Sequence, residues 1–298
     1  MKTSYANLSC PPAARTARSR GFTLVEVAIS LVLLGLAATG IFAVLNQQVE
    51  QRRIADTNAA LASARDALLS FLTTYGRLPC PAQSTTNGLE AVASSGSGVY
   101  VCTAEAGFLP AKTLGMSNLD AWGLLEGGWH DAAGATNGTY LRAIRYAVTG
   151  LGGNTAAALT SVSLGAPTVA TRRKAVQSAF DPTSAANPVN PQGYQGLFVC
   201  ASITGIKATP YANRCGVTAS NLITANAAVV IWSLGGNAAD LTSYSFDENQ
   251  NKNLTVPRVL ISRPYAPPGA SATQFDDQVA WISYSTIADR LVSAGYVQ

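Results

Sequence analysis

One acidic residue of this chain stands where a charge is costly. Glu26 lies near the start of an almost unbroken apolar run that extends from Phe22 to Leu45. A carboxylate at the depth of a bilayer is strongly unfavourable unless another group pairs with it. If the chain is cut after Gly21, the new α-amino group of Phe22 lies close to Glu26 along the chain. The residues therefore predict an ion pair that forms only after processing.

Two acidic pairs near the C-terminus could bind a metal ion. Asp247 and Glu248 are predicted to lie in a loop that ends at Asn253, and Asp276 and Asp277 directly precede a predicted strand. Oxygen ligands from separate loops suit calcium, although the spacing is not that of an EF-hand loop. The alternative, which the residues favour, is that these acids accept hydrogen bonds from backbone amides in turns.

Groups that could perform catalysis are few and scattered. His130, the single histidine, is followed by Asp131 in a Gly-rich segment, where an exposed loop residue is the simpler interpretation. The Gly-rich run 150–153 lacks the Lys-Ser/Thr ending of a phosphate-binding loop. The sequence has no Gly-x-Ser-x-Gly nucleophile turn. We therefore expect no enzyme.

The charge balance gives no support to nucleic-acid binding. The chain carries 20 basic and 16 acidic residues. Four of the basic residues and none of the acids precede the candidate cut, so the remaining chain carries 16 of each sign. A nucleic-acid surface needs clustered basic residues. The one dense cluster, Arg172–Lys174, is better explained as a solvated loop.

A long helix must position Glu26. The 24 residues 22–45 would form a helix of roughly 36 Å, which exceeds the ~30 Å apolar core of a bilayer. Basic residues before this segment predict that its N-terminus faces the cytoplasm. An amphipathic pattern continues the helix over 46–76, and Gly76 and Pro79 end it. The apolar stripe consists of Ile54, Leu61, Ala64, Leu68, Phe71 or Leu72, and Tyr75.

The remaining residues, 77–298, predict one globular α+β head. Five segments have the β-branched and aromatic content of strands: 141–148, 196–203, 227–234, 258–262 and 278–284. No helical pattern alternates with them, which favours an antiparallel sheet. Segments 155–191 and 220–225 are predicted as loops. A short C-terminal helix is predicted after a Ser285 cap, with Ile287 and Leu291 on one face and Gly295 at its end.

The cysteines predict two disulfides in the head. Cys10 precedes the candidate cut, and the other four are Cys80, Cys102, Cys200 and Cys215. An even set is typical of a domain that folds in an oxidising compartment. Three pairings can be drawn. We favour Cys80 with Cys102 and Cys200 with Cys215, because each pair closes a short loop.

The N-terminal residues resemble those of a known family. The heptapeptide Arg20-Gly-Phe-Thr-Leu-Val-Glu26 is similar to the processing site of type IV pilins and type II secretion pseudopilins. The resemblance implies that residues 1–21 are a leader, and that a prepilin peptidase cuts after Gly21 and methylates Phe22. It also implies a pilin-like fold, in which a long N-terminal helix, half transmembrane, packs on an antiparallel β-sheet head.

The resemblance implies a structural role without a cofactor. We expect a single-pass protein of the bacterial inner membrane with its head in the periplasm. It would then join a pseudopilus or a pilus through other pilin subunits and an inner-membrane assembly platform. Glu26 would pair with the Phe22 amine of a neighbouring subunit. Major pseudopilins hold calcium between their last strands, which makes Asp247, Glu248, Asp276 and Asp277 candidate calcium ligands.

Looser features of the head bear on the type of subunit. Segments 75–81, 107–115 and 120–123 resemble the loop between helix and sheet in pseudopilins, with Ala121 where Pro is usual. The helix-kinking Pro of major subunits is replaced by Ala43, which favours a minor subunit. The alternative function is a membrane-anchored adhesin or DNA-uptake subunit with a binding head. Its candidate contact residues are Trp122, Trp129, Tyr194 and Tyr211.

Overall fold

The structure of the chain is a computed structural model. It describes residues 23–94, 99–117, 143–148, 162–163, 196–207, 214–216, 219–238, 245–254, 258–267 and 273–296. The chain divides into two compact units, Met1–Glu50 and Gln51–Gln298. Among the residues described, no helix is both long enough and apolar enough to cross a membrane.

Helix α1, Leu24–Tyr75, contains 52 residues. It ends where Gly76 adopts a φ of +69°, a left-handed conformation that glycine reaches without a Cβ clash. The N–H of Gly76 donates to the carbonyl oxygen of Leu72 at 2.8 Å. The long N-terminal helix and its end at Gly76 are therefore confirmed.

In the second unit, α1 buries one face. The buried positions recur at steps of three and four residues: Thr57, Leu61, Ala64, Leu68 and Leu72. The predicted stripe is wrong at its end, because Tyr75 is 52 % exposed. Thr57 is fully buried, and periodicity misses it because a hydroxyl side chain gives no apolar signal.

The described part of the second unit contains nine strands and three further helices. All five predicted strands are present. The chain order is β1 Val92–Ser94, β2 Val99–Cys102, β3 Ala106–Phe108, α2 Ala111–Leu114, β4 Arg145–Val148, β5 Val162–Ser163, β6 Leu197–Cys200, β7 Leu222–Ser233, α3 Phe246–Asn253, β8 Val259–Ile261, β9 Gln278–Ser283 and α4 Tyr284–Ser293. A 3-10 turn, Ala219–Asn221, leads into β7.

Three predicted loops are wrong, the first because segment 155–191 contains strand β5, Val162–Ser163. The segment 220–225 is not a loop, because β7 already begins at Leu222. The loop predicted to hold Asp247 and Glu248 is helix α3, which starts after Ser245. Its eight residues, with one aromatic and seven polar side chains, carry no apolar period that a sequence pattern could detect.

Two sheets form the second unit. The larger sheet has the order β3-β4-β7-β6-β8, with β9 also paired to β7, and a smaller sheet has the order β1-β2-β5. Among the residues described, the strand pairs are antiparallel except β6 with β8, which is parallel. The prediction of an antiparallel sheet is therefore wrong at this pair. The chain between β6 and β8 passes through β7 and α3, which supplies the long connection that a parallel pair needs.

Strand β7 organises the larger sheet because it is long enough to pair with three strands. Ala227 pairs with Leu197 of β6 and with Ser283 of β9. Residues 229–232 pair with β4 and with β9. Two partners of one residue lie on opposite sides of its strand, so β4 and β6 lie one after the other on the side of β7 opposite β9. The sheet therefore forks between β4 and β6.

The sheet buries both faces. On one face, Ile231 belongs to a core that also contains Leu68 of α1 and Leu291 of α4. On the other face, Trp232 belongs to a core with Leu260, against which Leu254 at the end of α3 packs. Neighbouring residues of β7 thus point into different cores, as the strand period of two requires.

Helix α4 covers the α1 face and is capped differently from the prediction. The Ser283 hydroxyl oxygen accepts from the N–H of Thr286 at 3.2 Å, so Ser283, not Ser285, is the cap. The β9 strand runs directly into the helix, which brings the cap forward by two residues. Ile287 and Leu291 are fully buried as predicted.

Candidate functional site

Glu26 lies in the first turn of α1. Its N–H donates to Thr23 Oγ1 at 3.3 Å, and the spacing Thr-x-x-Glu is that of a capping box. The N–H of Val27 donates to the carbonyl oxygen of Thr23 at 3.2 Å. A carboxylate in the first turn also interacts favourably with the helix dipole. The sequence thus starts the helix at Thr23 and places the one acid of this segment at its positive end.

The first turns of α1 expose an apolar surface all round the helix. Every residue from Leu24 to Leu36 is exposed, and Leu24 itself is 87 % exposed. A helix that is hydrophobic on all sides is normally buried in protein or lipid. This surface therefore requires a cover other than water.

Two disulfides join the four cysteines of the head. Cys80 pairs with Cys102, and Cys200 pairs with Cys215. These are the pairings that the sequence favours. The first bridge ties the segment after α1 to β2, and the second ties the end of β6 to the loop that leads into β7.

A partly buried ion pair supports the first disulfide. Arg77 donates two hydrogen bonds to Glu90, at 2.8 and 2.7 Å, and the N–H of Cys80 donates to Glu90 Oε2 at 3.1 Å. Burial alone would raise the pKa of Glu90, but the hydrogen bond and charge of Arg77 and the Cys80 N–H hold the pKa below its usual value. The pair fixes the chain where it leaves α1. Sequence periodicity gives no signal for this pair, because Arg77 and Glu90 are 13 residues apart along the chain.

Three of the four candidate calcium ligands lie together. The structure brings carboxylate oxygens of Glu248, Asp276 and Asp277 to within 4.8 Å of one another, and all three residues are buried. Glu248 comes from α3, and the two aspartates come from the segment before β9. Like charges this close are unfavourable unless protons, donors or a cation relieve them.

Backbone and side-chain donors satisfy much of this acidic cluster. Glu248 Oε2 accepts from the N–H of Ser245 at 2.9 Å, which completes a capping box at the start of α3. Glu248 Oε1 accepts from the N–H of Asp276 at 3.1 Å. Asp276 Oδ2 accepts from the N–H groups of Gly236 and Asn237 at 2.8 and 3.2 Å. These contacts match the alternative that the sequence favours, acids that cap backbone amides.

Asp247 belongs to a different contact. Its carboxylate lies 3.0 Å from Nε of Arg263 and accepts from the N–H of Ile203 at 2.7 Å. Consecutive residues of a helix point in directions about 100° apart, so the carboxylates of Asp247 and Glu248 diverge in α3. Asp247 is therefore not part of the acidic cluster.

Burial disfavours the charged form of the Asp277 carboxyl group. Burial raises its pKa well above the usual value, and the charges of Asp276 and Glu248 add to this shift. The hydrogen bond from Asn251 and the charge of Arg145 act in the opposite direction. Burial also lowers the pKa of Arg145. Chemically, the cluster can hold a proton or accept a cation.

Two amide side chains of α3, absent from the sequence-based site, connect the cluster to the sheet. Asn251 donates through Nδ2 to Asp277 Oδ2 at 2.7 Å and to the Ile261 carbonyl oxygen at 2.8 Å. Asn251 Oδ1 accepts from the N–H of Ile261 at 2.7 Å. Gln250 Nε2 donates to the carbonyl oxygen of Val259 at 2.7 Å. Both amides thus bond the outer edge of β8, and a sequence pattern gives no signal for such a contact.

Several sequence-based candidates lie outside the described residues. These are the cleavage site Gly21 and Phe22, the basic cluster Arg172–Lys174, the residues His130 and Asp131, the Gly-rich run 150–153, and the aromatic residues Trp122, Trp129, Tyr194 and Tyr211.

Comparison with known proteins identifies the N-terminal segment. Residues 16–42 match a family model described as the prokaryotic N-terminal methylation motif. No curated protein and no solved structure was found to match the chain. The motif supports a pilin or pseudopilin that is processed by prepilin peptidase and assembles with other pilin subunits. It also suggests a structural, membrane-anchored bacterial protein.

Proposed function

We propose that the chain is a minor structural subunit of a type II secretion pseudopilus or a type IV pilus, with a pilin-like fold. The observation that carries this proposal is the methylation motif over 16–42, which contains Glu26, the single acid of the apolar segment 22–45. Prepilin peptidase would cut between Gly21 and Phe22. The head would then act as a packing body and perform no catalysis.

The apolar start of α1 supports membrane anchoring. The first turns of α1 carry exposed leucine, valine and isoleucine side chains on every side of the helix. Lipid covers such a surface before assembly, and the helices of neighbouring subunits cover it afterwards. We therefore place residues 22–45 across the bacterial inner membrane, with the head in the periplasm and an inner-membrane assembly platform as partner. This span stays a prediction.

Glu26 provides the specificity of assembly in this proposal. Its carboxylate would pair with the α-amine of Phe22 on a neighbouring subunit as the helix leaves lipid. Each of the two charges would be costly alone in a dry helical core, and the pair offsets this cost. Leucine at position 26 would therefore spare insertion and impair assembly.

Processing is tested on the full chain in cells that contain the peptidase. A Gly21→Leu substitution should leave an uncut precursor in the membrane, because the peptidase requires a small residue at the cut. The matched control is Gly35→Leu, which changes a helix glycine with no atom within 4 Å of its added Cβ. An N-terminus at Phe22 in the Gly21→Leu protein would contradict the proposal.

Assembly is tested separately with Glu26→Leu and Glu26→Gln. Both variants should be cut and inserted like the parent, and both should be poorly incorporated into sheared filaments or into the pseudopilus. Ser30→Ala serves as control, since it removes only a hydroxyl that bonds the Glu26 carbonyl oxygen at 2.8 Å. Normal incorporation of Glu26→Gln would remove the charge-pairing argument and leave the processing result intact.

Calcium binding by the head stays a prediction. The clustered oxygens of Glu248, Asp276 and Asp277 are of the type that calcium prefers, although backbone amides already occupy several of them. An ion that binds only the folded head should raise its melting temperature. The full chain in detergent should therefore melt higher in calcium chloride than in chelator. Asp276→Asn should abolish this difference and Asp247→Asn should keep it, whereas equal melting of the parent in both buffers contradicts calcium binding.

A further inference from the structure

An exposed asparagine, Asn87, precedes a glycine in a turn of the head, and the proposed assembly gives this pair no role. Asn87 and Gly88 occupy the centre of the turn from Thr86 to Leu89, with φ values of +49° and +77°. The N–H of Leu89 donates to the carbonyl oxygen of Thr86 at 3.0 Å. Positive φ at both central positions is the type I′ geometry that Asn-Gly favours.

We propose that Asn87 is a site of spontaneous deamidation through a cyclic imide with Gly88. The backbone nitrogen of Gly88 forms a bond to the side-chain carbonyl carbon of Asn87. The bond from that carbon to the side-chain nitrogen breaks, and ammonia leaves with the proton from Gly88. Water then opens the ring at either carbonyl and gives aspartate or isoaspartate. One water is consumed, one ammonia is released and nothing is oxidised or reduced.

The local structure leaves the Asn87 side chain accessible and, among the residues described, the nitrogen of the buried Gly88 without a hydrogen-bond acceptor. The side chain of Asn87 is exposed. Within the described part of the chain, the N–H of Gly88 donates no hydrogen bond, so the nucleophile is not held by an acceptor. Gly88 carries no Cβ that would block the approach of its nitrogen to the side chain. Most other residues at this position would both hinder the attack and strain the turn.

The turn itself sets the rate. Ring closure needs rotation of the Asn87 backbone out of the type I′ geometry, so it occurs only when the turn opens locally. Contacts of the Thr86 hydroxyl oppose this opening: Oγ1 donates its one proton to the carbonyl oxygen of Leu89 at 2.6 Å, lies 3.1 Å from the carbonyl oxygen of Gln83, and accepts from the N–H of Gln83 at 3.0 Å. We therefore expect the native chain to react more slowly than the denatured chain, but at a measurable rate.

The product would change the loop. Isoaspartate carries the backbone through an extra methylene, so the bond between Thr86 and Leu89 is lost. The carbonyl oxygen of Gly88 accepts from the N–H of Lys112 at 3.0 Å, and this tie to α2 would shift. Either product adds a carboxylate three residues before Glu90, whose ion pair with Arg77 holds the segment after α1.

The test uses the full chain in detergent with its disulfides intact. After incubation at neutral and at alkaline pH, trypsin releases residues 78–112, a peptide in which Asn87 is the single asparagine. Mass spectrometry follows the change from amide to acid, and chromatography separates aspartate from isoaspartate. We expect both isomers, faster at alkaline pH because the attacking nitrogen must lose its proton.

Two variants test whether the conversion follows the proposed mechanism. Asn87→Gln should stop the conversion, since glutamine closes the corresponding ring far more slowly. Thr86→Val removes the hydroxyl contacts and should raise the native rate about fivefold, the effect of losing one net hydrogen bond from the closed turn. No conversion in the native parent while the denatured chain converts fully, or aspartate without isoaspartate, would overturn the proposal. So would an unchanged rate in a folded Thr86→Val protein.

Discussion

Asn251 provides the sharpest test of how the head is held together. Its side chain makes three hydrogen bonds to buried groups: the N–H and the carbonyl oxygen of Ile261 and the carboxylate of Asp277. Asn251 itself is fully buried. Asn251→Ala would leave all three partners without this amide. Its backbone carbonyl oxygen, which accepts from Nε1 of Trp232 at 3.2 Å, would be retained.

The expected loss of stability follows from the number of buried polar groups that lose a hydrogen-bond partner. A buried polar group that loses its partner costs about 1–3 kcal/mol. Partial relaxation and water entry reduce the sum, so we expect Asn251→Ala to lower the free energy of unfolding by about 3–5 kcal/mol. For a domain of this size, that loss corresponds to a fall in melting temperature of about 6–20 °C.

The assay is thermal unfolding of the full chain in detergent, followed by tryptophan fluorescence. Trp232 is buried and contacts the same residue of α3, so its emission reports the affected region. Asn253→Ala is the matched control, because Asn253 lies in the same helix and is exposed. Its side chain donates from Nδ2 to Asn249 Oδ1, on the surface of the same helix, at 2.6 Å. The control should stay within about 0.5 kcal/mol of the parent.

Equal melting of the two variants would refute the reasoning. It would mean that water or a neighbouring donor replaces the amide at the edge of β8 without cost. Hydrogen exchange gives an independent reading, because the N–H of Ile261 should lose protection in Asn251→Ala and keep it in Asn253→Ala. If Asn251→Ala melts at a much lower temperature while the Ile261 N–H keeps its protection, the substitution destabilises a part of the head other than the edge of β8.

Three further predictions concern the rest of the head. The pKa of Glu90 is lowered in the folded state. Its contribution to stability is therefore present above its usual pKa and is lost as the pH falls through the lowered value. Glu90→Gln should flatten the acid side of a profile of melting temperature against pH, and it should do so more than Glu105→Gln, because Glu105 is more exposed in its ion pair. Gly76→Ala should lower the free energy of unfolding by about 1–3 kcal/mol. The loss should exceed that of Gly115→Ala, because both glycines have positive φ but only at Gly76 would a Cβ meet the Tyr296 ring. The denaturant midpoints of the two variants measure this difference. Peptide mapping of the unreduced protein should find the two local disulfides, and reduction of each should cost ~2–4 kcal/mol; free thiols would contradict them.

The sequence predicts the elements with strong periodic signals. Helix α1 and strands β4, β6, β7, β8 and β9 were all expected, because long apolar or β-branched runs bounded by Gly or Pro identify them. Helix α3 was missed because its buried residues are Asp247, Glu248, Gln250 and Asn251. Their burial is stabilised by tertiary hydrogen bonds, and such bonds leave no period in the sequence.

The residues of the candidate site also differ in how far the sequence alone reveals them. The resemblance at Glu26 depends on a contiguous heptapeptide, so it is visible without a structure. The acidic cluster depends on the approach of α3 to the segment before β9, which brings Glu248, Asp276 and Asp277 together. Asp247 instead contacts Arg263, and the sequence could not separate it from Glu248, because residues in a predicted loop have no fixed direction, whereas those of a helix do. Calcium binding by these residues stays a prediction.

Two of the three terminal strands of the larger sheet are bonded along their outer edges. Side-chain amides of Gln250 and Asn251 bond the outer groups of β8. Ala82 pairs with Phe108 of β3 through two backbone hydrogen bonds of 2.8 Å. The third terminal strand is β9, which pairs with β7. An open strand edge is a template for pairing with another chain, so these contacts disfavour strand addition at β8 and at β3. The exposed apolar start of α1 needs a cover other than water, and in the proposed assembly Glu26 sets the register in which helices meet.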